Sequence, residues 1–325
     1  MKKIKNIKLI GLIILSIILI VGCSADKKEG SNKYKIGISQ LADHPALDSA
    51  RIGFEEGLKE LGVEAEIDYK NAQGDIPNTM SIAQKFVSDE VDLIYTIGTQ
   101  AAQNAKQATS EIPILFSAVT DPVKSEIVDS WDKVGGNVTG SSDMAPVESQ
   151  IKMFKEIDPS IKKIGILYNT SEANSEIQIN EVKEIAKSEG LEVEISGVSS
   201  VNEIQQTLNS LIKKVDALYM LSDNMIASSV ELVAKAALDN KMITVSAEEN
   251  QVIGGLLITN GLNYYDLGKL TAKMAKEILV DKKDINEIPV LIQKETVVTV
   301  NEKTLKALGL NENLAIFKNA EKRVN

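Results

Sequence analysis

The sequence predicts an α/β protein built from two doubly wound parallel-sheet lobes joined by a multi-strand hinge. Three observations carry this. From Tyr34 onward, short apolar runs alternate with stretches of helical period, the pattern of a parallel sheet covered by helices. That order is then written a second time at a nearly constant offset. Finally, a few elements remain after both copies are complete, available to be shared between them.

The first copy places strands at Lys35–Ser39 (KIGIS), Val63–Tyr69, Leu93–Ile97 (LIYTI) and Ile114–Ala118 (ILFSA). Between them, Ala50–Leu61 sets Ile52, Phe54, Leu58 and Leu61 near one helical face, and Thr79–Val87 does so with Ile82, Phe86 and Val87. In the second copy Lys163–Leu167 (KIGIL) answers Lys35–Ser39, and Gly190–Ile195 (GLEVEI) answers Gly62–Ile67 (GVEAEI), both at an offset of 128. Asp216–Tyr219 answers Asp92–Tyr95 at 124, and Ile243–Ala247 answers Ile114–Ala118 at 129. Four matches in order imply duplicated lobes. The first ends near Gly140–Asp143 and the second near Thr259–Asn263. Tyr265–Leu279 is then amphipathic, with Leu267, Leu270, Met274 and Ile278 near one face, and Pro289–Ile292 and Thr296–Val300 follow. The expected organisation is residues 34–142 plus about 262–283 in lobe I, and 143–261 plus about 284–325 in lobe II.

The N-terminus reads as a targeting segment. Lys2, Lys3, Lys5 and Lys8 precede an uncharged apolar run over 9–21, and Gly22-Cys23 follows. Residues 1–22 are expected to be a lipoprotein signal peptide. Cys23, the only cysteine, is the expected lipidation site, and the polar stretch 23–33 is the expected tether. The apolar run is short for a membrane span of about 20 residues. Loss of residues 1–22 removes four lysines and no acid, leaving 32 basic against 46 acidic side chains. An acidic body of this kind argues against nucleic acid as a partner.

One cysteine and one histidine exclude a disulfide framework, a Cys-rich metal site and a two-His zinc site. No serine sits in a G-x-S-x-G elbow, and neither G-x-G-x-x-G after the first strand nor a P-loop is present. No cofactor, metal or enzymatic activity is expected. Ligands of open α/β sheets bind beyond the carboxyl ends of the strands. Those ends carry Gln40–Asp48 around His44, Gly98–Ala102, Val119–Pro122, Tyr168–Ser175 and Ser222–Asn224. They are rich in hydroxyls, amides and helix starts, which suits recognition of a small polar molecule.

The segments His44–Asp48 (HPALD), Gly98–Gln103 (GTQAAQ), Ala118–Pro122 (AVTDP), Thr139–Asp143 (TGSSD), Ser222–Asn224 (SDN) and Asn263–Gly268 (NYYDLG) occur in family order over nearly the whole chain after residue 33. Together they resemble the ABC-transporter substrate-binding lipoproteins of the tryptophan/tyrosine-binding type. The resemblance implies the periplasmic binding protein type I fold, delivery of a small ligand to a membrane ABC permease, and an aromatic amino acid as the favoured ligand.

The chemistry of such a ligand can be matched to residues. A carboxylate would be met by Thr99 and Gln100 at a helix start and by Ser117. An ammonium would be met by Asp223, with Asp143 second. Asn224 and Asn169 would complete the polar shell, beside His44. The ring would occupy a slot made from Phe116, Leu41, Tyr168 and Tyr264. Phe116 lies inside an apolar strand and is equally a core candidate. The alternative function is a surface-exposed lipoprotein acting in adhesion or sensing, in addition to transport or in its place.

Overall fold

The computed structural model describes residues 33–325. The expected signal peptide and lipidation site, and the expected tether up to residue 32, lie outside that range. The first lobe runs β1 (Tyr34–Gln40), α1 (Pro45–Glu60), β2 (Ala65–Asn71), α2 (Ile76–Ser88), β3 (Leu93–Ile97), α3 (Thr99–Ala108), β4 (Ile114–Val119) and β5 (Val138–Ser142). The second runs α4 (Val147–Ile157), β6 (Lys163–Asn169), α5 (Ala173–Ser188), β7 (Glu192–Val198), α6 (Val201–Ile212), β8 (Ala217–Met220), α7 (Asn224–Ala227), α8 (Val230–Asp239), β9 (Ile243–Glu248), α9 (Glu249–Ile253) and β10 (Ile258–Leu262). The remainder is α10 (Tyr264–Leu279), a 3-10 turn at Ile285–Glu287, β11 (Leu291–Ile292), β12 (Val297–Asn301), α11 (Glu302–Leu308), α12 (Ala315–Lys318) and β13 (Lys322–Val324).

One sheet has the order β11-β5-β4-β3-β1-β2 and the other β13-β12-β10-β9-β8-β6-β7. The five core strands of each are ordered alike, so the duplication in sequence is a duplication in topology. All core pairings are parallel. Parallel strands are buried on both faces. Accordingly each sheet is packed on both sides by an apolar cluster: Ile38, Phe54, Tyr95 and Leu267 against Phe86, Ile94 and Phe116 in one lobe, and Ile166, Phe154 and Tyr219 against Leu208, Leu218 and Val233 in the other.

The chain passes between the sheets three times, after β5, after β10 and after β11. The third passage corrects one expected boundary. Residues 284–292 are not part of the second lobe, because Leu291 and Ile292 pair in parallel with Ser141 and Ser142 of β5, and Val290 donates its N–H to Trp131 O. Only from β12 does the chain join the second sheet, antiparallel to β10.

Helix α10 returns to the first lobe and lies against α1. The approach is close enough to need glycine. A Cβ at Gly268 would sit 2.0 Å from the carbonyl oxygen of Ala50, and one at Gly53 would sit 2.0 Å from that of Tyr265. Both obstacles are backbone, so a side chain there must push the helices apart. Gly268→Ala is expected to lower stability by about 1–3 kcal/mol, the usual cost of overpacking. Urea unfolding checks this; a wild-type midpoint would refute the close-packing account.

Candidate functional site

The carboxyl ends of both core sheets face one cleft. It holds a narrow, tightly closed cavity lined from the first lobe by His44, Leu47, Ala118, Asp143 and Tyr264 among others, and from the second by Asn174, Ser222, Asp223, Asn224, Glu248 and Gln251. The local sequence explains this convergence. Each lining residue lies at or just after a strand end or in the first turn of a helix. At β4 the pairing register with β5 shifts between Phe116 and Val119. Ala118 there adopts φ +56°, in the left-handed region that side chains avoid. That strained residue turns the strand end into the cavity, as strain often does at functional sites.

The electrostatics are one-sided. Asp143, Asp223 and Glu248 are all buried, and no lysine or arginine is among the lining residues. Asp143 accepts the Tyr264 hydroxyl on Oδ2 at 2.5 Å, while its Oδ1 has no partner. Burial raises the Asp143 carboxyl, tempered by that hydroxyl. Glu248 caps α9, accepting from Asn250 N at 2.6 Å. Burial pushes it up to about 7, against the hydrogen bonds from Asn250. Asp223 caps α7 through Ile226 N at 3.0 Å and also accepts from Asn169 N and Ser175 Oγ, each at 2.7 Å. Burial, then the nearby Glu172 carboxylate, push it up to about 7. Two more acceptors lining the cavity, Asn174 Oδ1 and Gln251 Oε1, are buried without partners. The cavity is therefore a cluster of unsatisfied acceptors, which a cationic donor would complete. Among the described residues no group of His, Cys, Asp and Glu is arranged to hold a metal ion.

Of the residues singled out from sequence, His44, Asp143, Asp223, Asn224 and Tyr264 line the cavity. Leu41 and Asn169 line an adjoining inter-lobe groove of about 260 Å³, which shares Asn224. Thr99 and Gln100 are buried at the start of α3. Thr99 Oγ1 is unpartnered, and Gln100 Nε2 donates across the cleft to Ser171 O at 3.5 Å. Three expectations are corrected. Phe116 is fully buried in the first lobe's core beside Phe86 and Ile94, on a strand enclosed on both faces. The Ser117 hydroxyl is taken by Tyr95 OH at 2.5 Å inside the same lobe. Tyr168 packs against the second lobe's core. None of the three lines the cavity or the groove.

Glu172, Asn174, Glu248 and Gln251 were not anticipated. Glu172 and Asn174 lie within Tyr168–Ser175, a segment already recognisable as a strand end. Glu248 directly follows Ile243–Ala247, the repeat partner of Ile114–Ala118; applying the strand-end rule to that copy would have found it.

The chain matches the family model described as ABC transporter substrate binding protein over residues 35–324. It is 43% identical to the tyrosine-binding protein of Clostridioides difficile (strain R20291), over 95% of this chain and 94% of that one. Among solved structures, a Streptococcus pneumonia protein in complex with L-Trp is 33% identical and superposes with a TM-score of 0.86, covering 90% of this chain and all of that one. The ligand-free, open structure of a Clostridium difficile substrate-binding protein with adhesive properties is 42% identical, covering 90% of this chain and 99% of that one, with a TM-score of 0.69. The type I periplasmic-binding architecture expected from sequence is thus present, and the chain belongs to the ABC transporter substrate-binding protein family.

Proposed function

We propose that this protein is an extracytoplasmic, lipid-anchored solute-binding protein that captures an aromatic amino acid between its two lobes and presents it to an ABC permease. The observation that carries the ligand class is the cavity: three buried carboxyls, two unpartnered amide oxygens and no lysine or arginine. An α-ammonium supplies both the charge and the donors that this set lacks. Asp143, with one free carboxylate oxygen, is the leading partner, ahead of Asp223, whose two oxygens already serve backbone and hydroxyl donors of its own lobe. Thr99 and Gln100 at the start of α3 are the proposed partners of the ligand carboxylate. The tyrosine-binding relative and the L-Trp complex support an aromatic side chain.

Closure is supported by an inversion among the relatives. The structure superposes better on the L-Trp complex at 33% identity than on the open, ligand-free relative at 42%. Similarity of sequence would give the opposite order unless the lobes can sit at different angles, as hinged domains do. Binding without turnover accounts for a site with one histidine. Adhesion is the second reading, favoured by the adhesive properties of the open relative.

Two measurements follow. In a thermal-shift screen, L-tyrosine, L-tryptophan or L-phenylalanine should raise the melting temperature, and sugars should not. Asp143→Asn should weaken binding of the responding amino acid at least about tenfold, since it leaves the ammonium without its charge partner. A response to sugars alone would overturn the assignment. The second is pH. A carboxyl held at about 7 by burial must lose its proton to pair with an ammonium. Affinity should therefore be full above pH 7 and fall below it, by up to about tenfold per pH unit for one group. Burial lowers His44, so its protonation opposes closure in the same direction, but below its ordinary range. Glu248→Gln should flatten the limb below pH 7 in calorimetry. An equally steep limb in that variant would exclude Glu248 as the group responsible.

A further inference from the structure

Away from the hinge strands, three hydrogen bonds join the lobes among the described residues: Gln100 Nε2 to Ser171 O at 3.5 Å, Ser228 Oγ to Asp43 O at 3.4 Å, and His44 Nε2 to Asn224 Oδ1 at 3.2 Å. The last is the shortest and joins two side chains that line the cavity. It also stands where the cavity meets the outer groove, because Asn224 lines both.

What orients Asn224 is a single carboxylate. Glu172 is buried and accepts five N–H donors. Oε1 takes Met225 N at 3.0 Å and Asn169 Nδ2 at 3.1 Å. Oε2 takes Asn224 Nδ2 at 2.6 Å, Asn224 N at 2.9 Å and Asn174 Nδ2 at 3.3 Å. A carboxylate only accepts. The Asn224 amide must therefore turn its NH₂ to Glu172 and its oxygen to His44. That in turn requires the His44 ring to carry its proton on Nε2. His44 is buried at the start of α1 and makes no cap bond there, so its ring is free for this contact.

We infer that Glu172 is a positioning residue that sets the Asn224 amide and so makes Glu172–Asn224–His44 the latch that holds the lobes closed. The latch rests on the closure reading above, but not on the identity of the ligand. Glu172→Gln would offer an NH₂ where five donors converge. The Asn224 amide would lose its fixed orientation, and with it the polarity of the His44 contact.

His44 is the only histidine, so long-range ¹H–¹⁵N spectra of the full chain report one imidazole. Spectra would be taken with saturating L-tyrosine or L-tryptophan. They would also be taken in a chain closed without ligand by a disulfide between Asp43→Cys and Ser228→Cys, with Cys23→Ser. Closed wild type should show the Nε2–H tautomer. Glu172→Gln and Asn224→Ala should each mix the tautomers and speed dissociation by roughly two- to tenfold, the worth of a neutral hydrogen bond. Their combination should cost little more than either alone. If Glu172→Gln does not fold, Asn224→Ala decides, because it leaves Glu172 four donors. A pure Nε2–H tautomer in that variant or in Glu172→Gln would overturn the latch. Failure of both amino acids to bind, with the tautomer effect intact in the disulfide-closed chain, would overturn only the ligand assignment.

Discussion

The arrangement of the whole molecule turns on one electrostatic constraint: acidic groups are buried between the lobes without a lysine or arginine to meet them. Taking a carboxylate out of water costs several kcal/mol unless a partner replaces the lost hydration. Asp223 and Glu248 lessen that cost by capping helices, and Asp143 by accepting the Tyr264 hydroxyl. One oxygen of Asp143 and the amide oxygens of Asn174 and Gln251 remain unserved. An empty closed cleft is therefore short of donors, while an open one would give these groups to water. On the proposed reading, a cationic ligand would favour the closed state because it completes the set, and the inferred Glu172–Asn224–His44 latch would hold that state once formed.

The fold delivers this constraint through ordinary means. Two sheets with one strand order place every strand end on the same side of its lobe, and three passages of the chain let the lobes face each other while remaining tied. Two of the tied points are part of the site. Asp143 lies just after β5 and Tyr264 opens α10, so their hydrogen bond clamps two of the passages together beneath the cavity. Glycines at the α1–α10 contact keep α10 tight against the first lobe, so Tyr264 moves with that lobe.

The lobes were legible in sequence because buried parallel strands leave continuous apolar runs, and the runs recur in order. The boundary near 284 was not. Leu291 and Ile292 form a two-residue strand too short to show a period, and only its pairing with β5 reveals which sheet owns it. At the site, the strand-end rule pointed to His44, Asp223 and Asn224, and the family-like segments to Asp143 and Tyr264; all five line the cavity. Matching ligand chemistry to Phe116 and Ser117 failed because a strand's last residues can still point into the core: local sequence does not say where the bulge at Ala118 will turn the chain. Tyr168 was misread for the same reason. Glu172 escaped because its role is collective, arising from donors in its own loop, Asn169 and Asn174, and on a distant segment, Asn224 and Met225, that meets it only in the folded lobe.

If ligand capture and lobe closure are one event, as proposed, the inter-lobe distance between spin labels, one on each lobe at exposed positions far from the cleft, will report it. The ligand-free protein should give a longer or broader distance distribution, collapsing to a single short distance on addition of the bound amino acid, with Asp143→Asn needing far more ligand to do so. An identical distribution with and without saturating ligand would contradict it.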